Sequence, residues 1–187
     1  MICVDDHIEL LDLSAALAAV PAQRRGQALR YRRELDQRLC VAAWLLLQQA
    51  LSLGWGIQQV PPLVPMPGGK PVLQGLPGIH FNISHCDQAA AVVVDSRPVG
   101  IDVECITTCD PDLLEHTMSA DERRLIAASP SPDVAFTRLW TMKESLLKLT
   151  GQGITRDLHA VLDDCDAYRF HTTITPRYVL TVATHVE

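Results

Sequence analysis

Apolar positions along the chain change period several times, and each change marks a predicted element. Residues 23–53 carry Arg24, Arg25, Arg30, Arg32, Arg33 and Arg38 in their first half, then Val41-Ala42-Ala43-Trp44-Leu45-Leu46-Leu47 ahead of Gly54. The spacing predicts one long helix, basic at its beginning and apolar later. Arginine near a helix N-terminus opposes the macrodipole, which is tolerated on a solvated face or offset by a nearby anion. Residues 61–71, with Pro61, Pro62, Pro65, Pro67, Gly68, Gly69 and Pro71, predict loop with at most short edge strands. Beyond it, Ile79, Phe81 and Ile83 alternate with His80 and Asn82, as a half-buried strand requires. Residues 89–94 are a continuously apolar second strand, with Ser84-His85-Cys86-Asp87 as the connection. A turn at Asp95-Ser96-Arg97-Pro98 leads to a third strand over 99–104.

Helices return with Ser119 and Glu122, whose spacing of three predicts a capping box before Leu125 and Ile126. A longer helix is predicted over 133–150, stopping at Gly151-Gln152-Gly153, where glycine supplies a left-handed cap. Residues 158–162, 168–174 and 178–183 read as three strands. Helix followed by strands thus occurs twice, which points to two α+β lobes without a residue-level repeat.

Composition narrows the class. With 187 residues, 48% of them hydrophobic, the chain can bury a core as one domain or two small lobes. No apolar run approaches a membrane span, and the start, Met1-Ile2-Cys3-Val4-Asp5-Asp6-His7, carries acid where a secretory signal carries base, so a cytoplasmic protein is expected. Six scattered cysteines without a CxxC pair suggest neither a zinc cage nor a disulfide framework. The net charge of −6 argues against broad binding to nucleic acid or anionic membrane, with the arginines of residues 24–38 as a local exception.

Three places set charge against the pattern. In Gly100-Ile101-Asp102-Val103-Glu104 the strand period puts Ile101 and Val103 on one face and both carboxylates on the other. A solvated face tolerates two such anions; paired carboxylates flanked by apolar strand residues also hold hard cations through oxygen. In Trp140-Thr141-Met142-Lys143-Glu144-Ser145-Leu146-Leu147-Lys148, helical spacing surrounds Lys143 with Leu139, Trp140, Leu146 and Leu147. It is either a snorkelling lysine or a cation fixed beside a phosphate. Glu144 and Lys148, four apart, read alone as a surface ion pair contributing about 0.3–0.5 kcal/mol. Ser84 and His85 are neighbours on extended backbone, so they point apart and do not form a nucleophile and base; phosphate contacts or turn chemistry fit better. The sequence has no glycine-rich phosphate loop, which disfavours a P-loop or dinucleotide-binding enzyme.

In order, Gly69-Lys70-Pro71, Phe81-Asn82-Ile83-Ser84-His85, Gly100-Ile101-Asp102-Val103-Glu104 and residues 140–148 resemble the signature of the surfactin-synthetase type of phosphopantetheinyl transferases. The resemblance spans residues 21–183. It implies an α+β fold, a monomeric pseudo-dimer of two similar lobes (1–98 and 99–187), each a helix packed on a small antiparallel sheet, with the active site between them. It implies Mg2+ held by Asp102, Glu104 and Glu144, and Lys143 and Lys148 near the phosphates of coenzyme A and the reacting centre. Lys70, Ser84 and His85 match coenzyme-binding positions, and Arg38, with Arg24 or Arg25, a site for the 3′-phosphate. Cys86 stands where many relatives have serine, and the chain ends soon after its last strand while many relatives continue.

The activity so implied is transfer of 4′-phosphopantetheine from coenzyme A to a serine hydroxyl of an apo acyl or peptidyl carrier protein, giving holo-carrier and 3′,5′-ADP. Glu144, or a water it orients, is the expected general base, with Lys148, His85 and an arginine clamping charge. The carrier is expected to dock between residues 112 and 126, where Leu113, Leu114, Met118 and Ile126 are either an apolar patch or core. A metal-dependent nucleotide pyrophosphohydrolase and a non-catalytic coenzyme A or carrier-binding module are the alternatives.

Overall fold

The computed structural model describes residues 1–66, 69–151, 153 and 157–186. Pro67 and Gly68 of the proline-rich stretch, and Gln152 of the glycine stop, lie outside the described residues. The chain opens with strand β1 (Ile2–Asp5), a 3-10 turn at Ile8–Leu10, and helices α1 (Leu13–Ala19), α2 (Ala22–Ala28) and α3 (Glu34–Trp55). The single helix expected over 23–53 is therefore interrupted between Ala28 and Glu34. Arg30, Arg32 and Arg33 fall in the break, and α3 begins with Glu34 and Asp36 in its first turn, the sign its dipole favours. Arg33 is the N-cap residue of α3, and Arg24 lies in the first turn of α2. Gly56, at φ 67°, closes α3 in the left-handed conformation.

The short pair β2 (Leu63–Pro65) and β3 (Pro71–Leu73) borders the proline-rich loop, and β4 (His80–Cys86), β5 (Ala89–Asp95) and β6 (Val99–Cys105) follow. The connection between β4 and β5 is shorter than expected. Ser84, His85 and Cys86 pair with Ala91, Ala90 and Ala89, which leaves Asp87 and Gln88 as the turn. The apolar run of β5 is long enough to keep Ser84 and His85 in a strand ladder, with Ser84 turned inward and His85 out.

Helix α4 (Pro111–Thr117), α5 (Ala120–Ala127) and α6 (Pro132–Thr150) precede β7 (Tyr168–Ile174) and β8 (Tyr178–His185). The capping box forms as expected: Ser119 Oγ accepts from Glu122 N, and Glu122 Oε2 from Ser119 N. Gly151 caps α6 at φ 70°. Where a strand was expected at 158–162, a 3-10 turn at Leu158–Ala160 stands instead, capped by Asp157 on His159 N. That local hydrogen bond offers the backbone an alternative to a ladder.

Besides the two-stranded β2-β3 sheet, two three-stranded antiparallel sheets form among the described residues, ordered β1-β5-β4 and β6-β8-β7. Leu39, Ala42, Leu46, Leu47, Ala50 and Leu51, at helical spacing on α3, pack on Phe81, Ala90, Val92 and Val94. The alternate β5 residues Ala89, Ala91 and Val93 meet Ile101, Val103, Leu180 and Val182 of the second sheet. On the far side of that sheet, Leu146 and Leu149 of α6 pack on Ala183. The architecture is thus α+β, with layers of helix, sheet, sheet and helix, and each fully buried leucine or valine contributes about 1.5–3 kcal/mol. Among the described residues no helix is long and apolar enough to cross a membrane.

Candidate active site between β4, β6 and α6

Gly100 sets the site's dimensions. A Cβ there would lie 2.0 Å from Ser145 O and 2.6 Å from Leu149 N, both backbone atoms of α6. Only glycine permits so close an approach of strand and helix. It brings Lys148 onto β6, where Nζ donates to Asp102 Oδ1 at 2.6 Å and to Ser84 Oγ at 3.0 Å. Ser84 Oγ donates to the same Oδ1 at 2.8 Å and accepts from Val103 N at 3.3 Å. Asn82, two residues earlier on the same face of β4, accepts from Ile101 N at 3.0 Å. Side chains of β4 thus satisfy the unpaired edge of β6.

Asp102 and Glu104 share a strand face, as the period requires, but the face is not solvated. Asp102 is only 1% exposed, covered by α6. Lys148 is its partner, which corrects the expectation of a surface pair between Glu144 and Lys148. A buried carboxylate needs a nearby cation more than an i,i+4 neighbour does. Glu144 is buried, and its Oε1, like Asp102 Oδ2, has no hydrogen-bond partner among the described residues. Glu104 Oε1 accepts from Trp140 Nε1 at 3.4 Å.

Electrostatics follow from this crowding. Burial, then the charge of Asp102 and more weakly that of Glu144, pushes Glu104 up to about 7 against the opposing pull of Trp140 and Lys148. Burial and Asp102 likewise raise Glu144, with Lys148 opposing. His85 is held below the usual imidazole range by desolvation and by Lys148. A cavity of about 290 Å3 opens onto Glu144 and Lys148, lined also by Lys70, Asn82, Ile83 and Leu147.

Not every candidate converges there. Lys70 lines the cavity, but its Nζ donates to the carbonyls of Lys148 (2.6 Å), Leu149 (3.2 Å) and Val99 (3.3 Å), and desolvation lowers its proton affinity. Lys143 is 0% exposed, so it neither snorkels nor reaches the carboxylates: its ammonium lies among Thr117 O, Glu122 Oε2 and Leu158 O. Arg38 sits apart at a second cavity, pairing with Glu34 and donating to the carbonyls of Glu9 and Leu11. Arg24 stacks over the Trp44 ring at 4.5 Å, and Arg25 donates to Leu17 O. Of the four apolar residues expected in a docking patch, Met118 and Ile126 are core, Leu114 is half-buried and Leu113 is exposed.

The sequence pattern does not reveal Asn82, Trp140 and Glu122 as partners in these contacts. Asn82 stands in the strand alternation like any outward polar residue, and Glu122 reads as a cap alone; their second bonds depend on tertiary contacts. Among the described residues no group of three His, Cys, Asp or Glu side chains forms a ready metal cage. The donor set nevertheless fits Mg2+, which needs one or two carboxylates and completes its shell with water and phosphate oxygens, and two buried carboxylate oxygens here lack a partner.

Residues 98–182 match the model of the 4′-phosphopantetheinyl transferase superfamily. The 4′-phosphopantetheinyl transferase psf-1 of Bacillus pumilus is 34% identical over 142 residues, covering 74% of this chain and 61% of the relative. A 4′-phosphopantetheinyl transferase of Bacillus subtilis is 32% identical over 154 residues, covering 76% and 65%. The second half of the chain is thus similar to the 4′-phosphopantetheinyl transferase superfamily. The chain spans less than two thirds of the length of these two relatives. Within the superfamily segment lie Asp102, Glu104, Lys143, Glu144 and Lys148; Arg38, Lys70, Ser84 and His85 precede it. The cluster around Asp102 therefore joins residues of the matched segment to Ser84, which β4 supplies from outside it.

Proposed function

We propose that the chain transfers the 4′-phosphopantetheine group of coenzyme A to a serine hydroxyl of an apo acyl or peptidyl carrier protein, releasing 3′,5′-ADP. The observation that carries this reading is the buried carboxylate pair with two unpartnered oxygens, Asp102 Oδ2 and Glu144 Oε1, beside the ammonium of Lys148. The similarity of residues 98–182 to the 4′-phosphopantetheinyl transferase superfamily supports the reaction class. Asp102, Glu104 and Glu144 would hold Mg2+, which neutralises pyrophosphate charge when bound.

The chain's own groups do the rest. Lys148, shared between Asp102 and Ser84, clamps a phosphate oxygen at the cavity, and Ser84 and His85 add donors from β4. Glu144, or a water it orients, takes the proton of the incoming serine. The new bond joins serine oxygen to the pantetheine-bearing phosphorus, and the bond to the 3′,5′-ADP oxygen breaks. Lys70 and Arg38 are proposed coenzyme contacts that exchange present backbone partners for phosphate, and the 3′-phosphate lies toward Arg38 with Arg24 or Arg25. The two helix-and-sheet halves, 1–98 and 99–187, form a pseudo-twofold pair in a cytoplasmic monomer that serves fatty-acid, polyketide or peptide assembly.

The test is intact-mass measurement of apo carriers of the fatty-acid, polyketide and peptide types after incubation with the protein, coenzyme A and Mg2+. A gain of one phosphopantetheine on at least one carrier is expected. Unmodified carriers with a folded enzyme would refute the transfer, and coenzyme A consumed without an acceptor would identify a hydrolase instead.

A further inference from the structure

Among the described residues Lys143 is the largest side chain buried outright, and all three donors of its ammonium are used inside the chain. They reach Thr117 O at 2.8 Å, Glu122 Oε2 at 2.6 Å and Leu158 O at 2.7 Å. Glu122 Oε2 also accepts from Ser119 N at 2.7 Å, and His159 Nε2 lies 2.9 Å from Glu115 O close by. One position on α6 therefore fastens the end of α4, the start of α5 and the turn at Leu158–Ala160. The opposite side of α6 is held by Gly100, by the Thr141–Thr181 hydroxyl pair at 2.8 Å and by Lys148 on Asp102.

Glu144 follows Lys143 directly, about 100° around the helix. Among the described residues its Oε1 has no hydrogen-bond partner, so the backbone it rides on aims that oxygen. We infer that the Glu122–Lys143 pair is a positioning device, which fixes the roll of α6 and so points the Glu144 carboxylate at the cleft, and that Lys143 makes no contact with coenzyme A. For Lys143 to reach a phosphate it would have to leave Glu122 as a lone charge in the interior, a strongly unfavourable exchange. The inference rests on the proposed transferase reading insofar as Glu144 holds the metal.

The experiment uses the full chain, Mn2+ as the spectroscopic probe and two variants, Glu122→Gln and the double variant Glu122→Gln/Lys143→Met. Glutamine keeps the capping box, and the double change leaves no unpaired buried charge. Mn2+ affinity is read by electron paramagnetic resonance at saturating coenzyme A, coenzyme A affinity by calorimetry without metal, and folding by circular dichroism. The double variant is expected to stay folded, to lose Mn2+ affinity by about tenfold, and to bind coenzyme A within about twofold of the wild type. Wild-type Mn2+ affinity in the folded double variant overturns the inference. So does a comparable fall in metal-free coenzyme A affinity, which would make Lys143 a direct contact. If the double variant does not fold, Glu122→Gln decides by the same two readings. A wild-type protein that binds no Mn2+ at all refutes the metal-site reading itself, a failure distinct from the others.

Discussion

Asp102 keeps its place in the interior because Lys148 and Ser84 converge on one of its oxygens and leave the other open. The same arrangement satisfies a charge and reserves a ligand. Asp102→Asn keeps the size but removes the charge that holds Lys148, and loss of a partner to a largely buried ion pair costs up to about 3 kcal/mol. Carrier modification is expected to fall by about a hundredfold or more, with a lower urea midpoint at unchanged slope. A variant with full activity would remove Asp102 from the site. The strand period made the shared face of Asp102 and Glu104 legible in the sequence. It did not reveal that α6 covers that face, and an alanine at 102 is therefore no neutral surface change. Nor did the helical spacing of Lys143 tell a snorkelling cation from one with three internal acceptors, since Glu122, Thr117 and Leu158 are distant in sequence.

At the scale of elements, the contact between β6 and α6 governs how the carboxylates and Lys148 meet. Gly100→Ala places a methyl group against Ser145 O and the backbone of Leu149, neither of which is a flexible side-chain end. The helix must lift from the strand. Overpacking of this kind costs about 1–3 kcal/mol, and Glu144 and Lys148 move with the helix, so activity is expected to drop together with the urea midpoint. Stability lost with full activity retained would show that the site tolerates the displacement. The helix limits of α6, its glycine cap and the Ser119–Glu122 box were legible because they depend on local rules. The division of residues 23–53 into α2 and α3 was not read, although Glu34 and Asp36 are the start signal that a helix dipole favours. The arginines before them belong to a basic stretch that does not form one helix.

Across the whole molecule, the two sheets bury their facing residues while the carboxylate cluster lies at their margin beneath α6. The α+β class was legible from the repeated order of helix and strands; the stacking of sheet against sheet was not, because the apolar run of β5 reads the same whichever surface covers each face. That burial has a consequence for stability against pH. Glu104 is pushed from an ordinary 4.5 up to about 7, and Glu144 shifts in the same direction. Between those values these two carboxyls bind more protons in the folded metal-free protein than in the unfolded chain, so their contribution to the stability of folding decreases as pH rises. The contribution of Glu104 is fully present below about 4.5, is lost as pH climbs toward 7, and amounts to about 3 kcal/mol at most. The melting temperature of the metal-free protein, followed by calorimetry in chelator at constant ionic strength, is expected to decline across this window. Glu104→Gln should flatten the decline, because the amide does not titrate. Mg2+ with coenzyme A should restore stability at the upper end, where ionised carboxylates become ligands instead of mutually repelling charges. A decline of equal slope in Glu104→Gln would locate the proton uptake elsewhere.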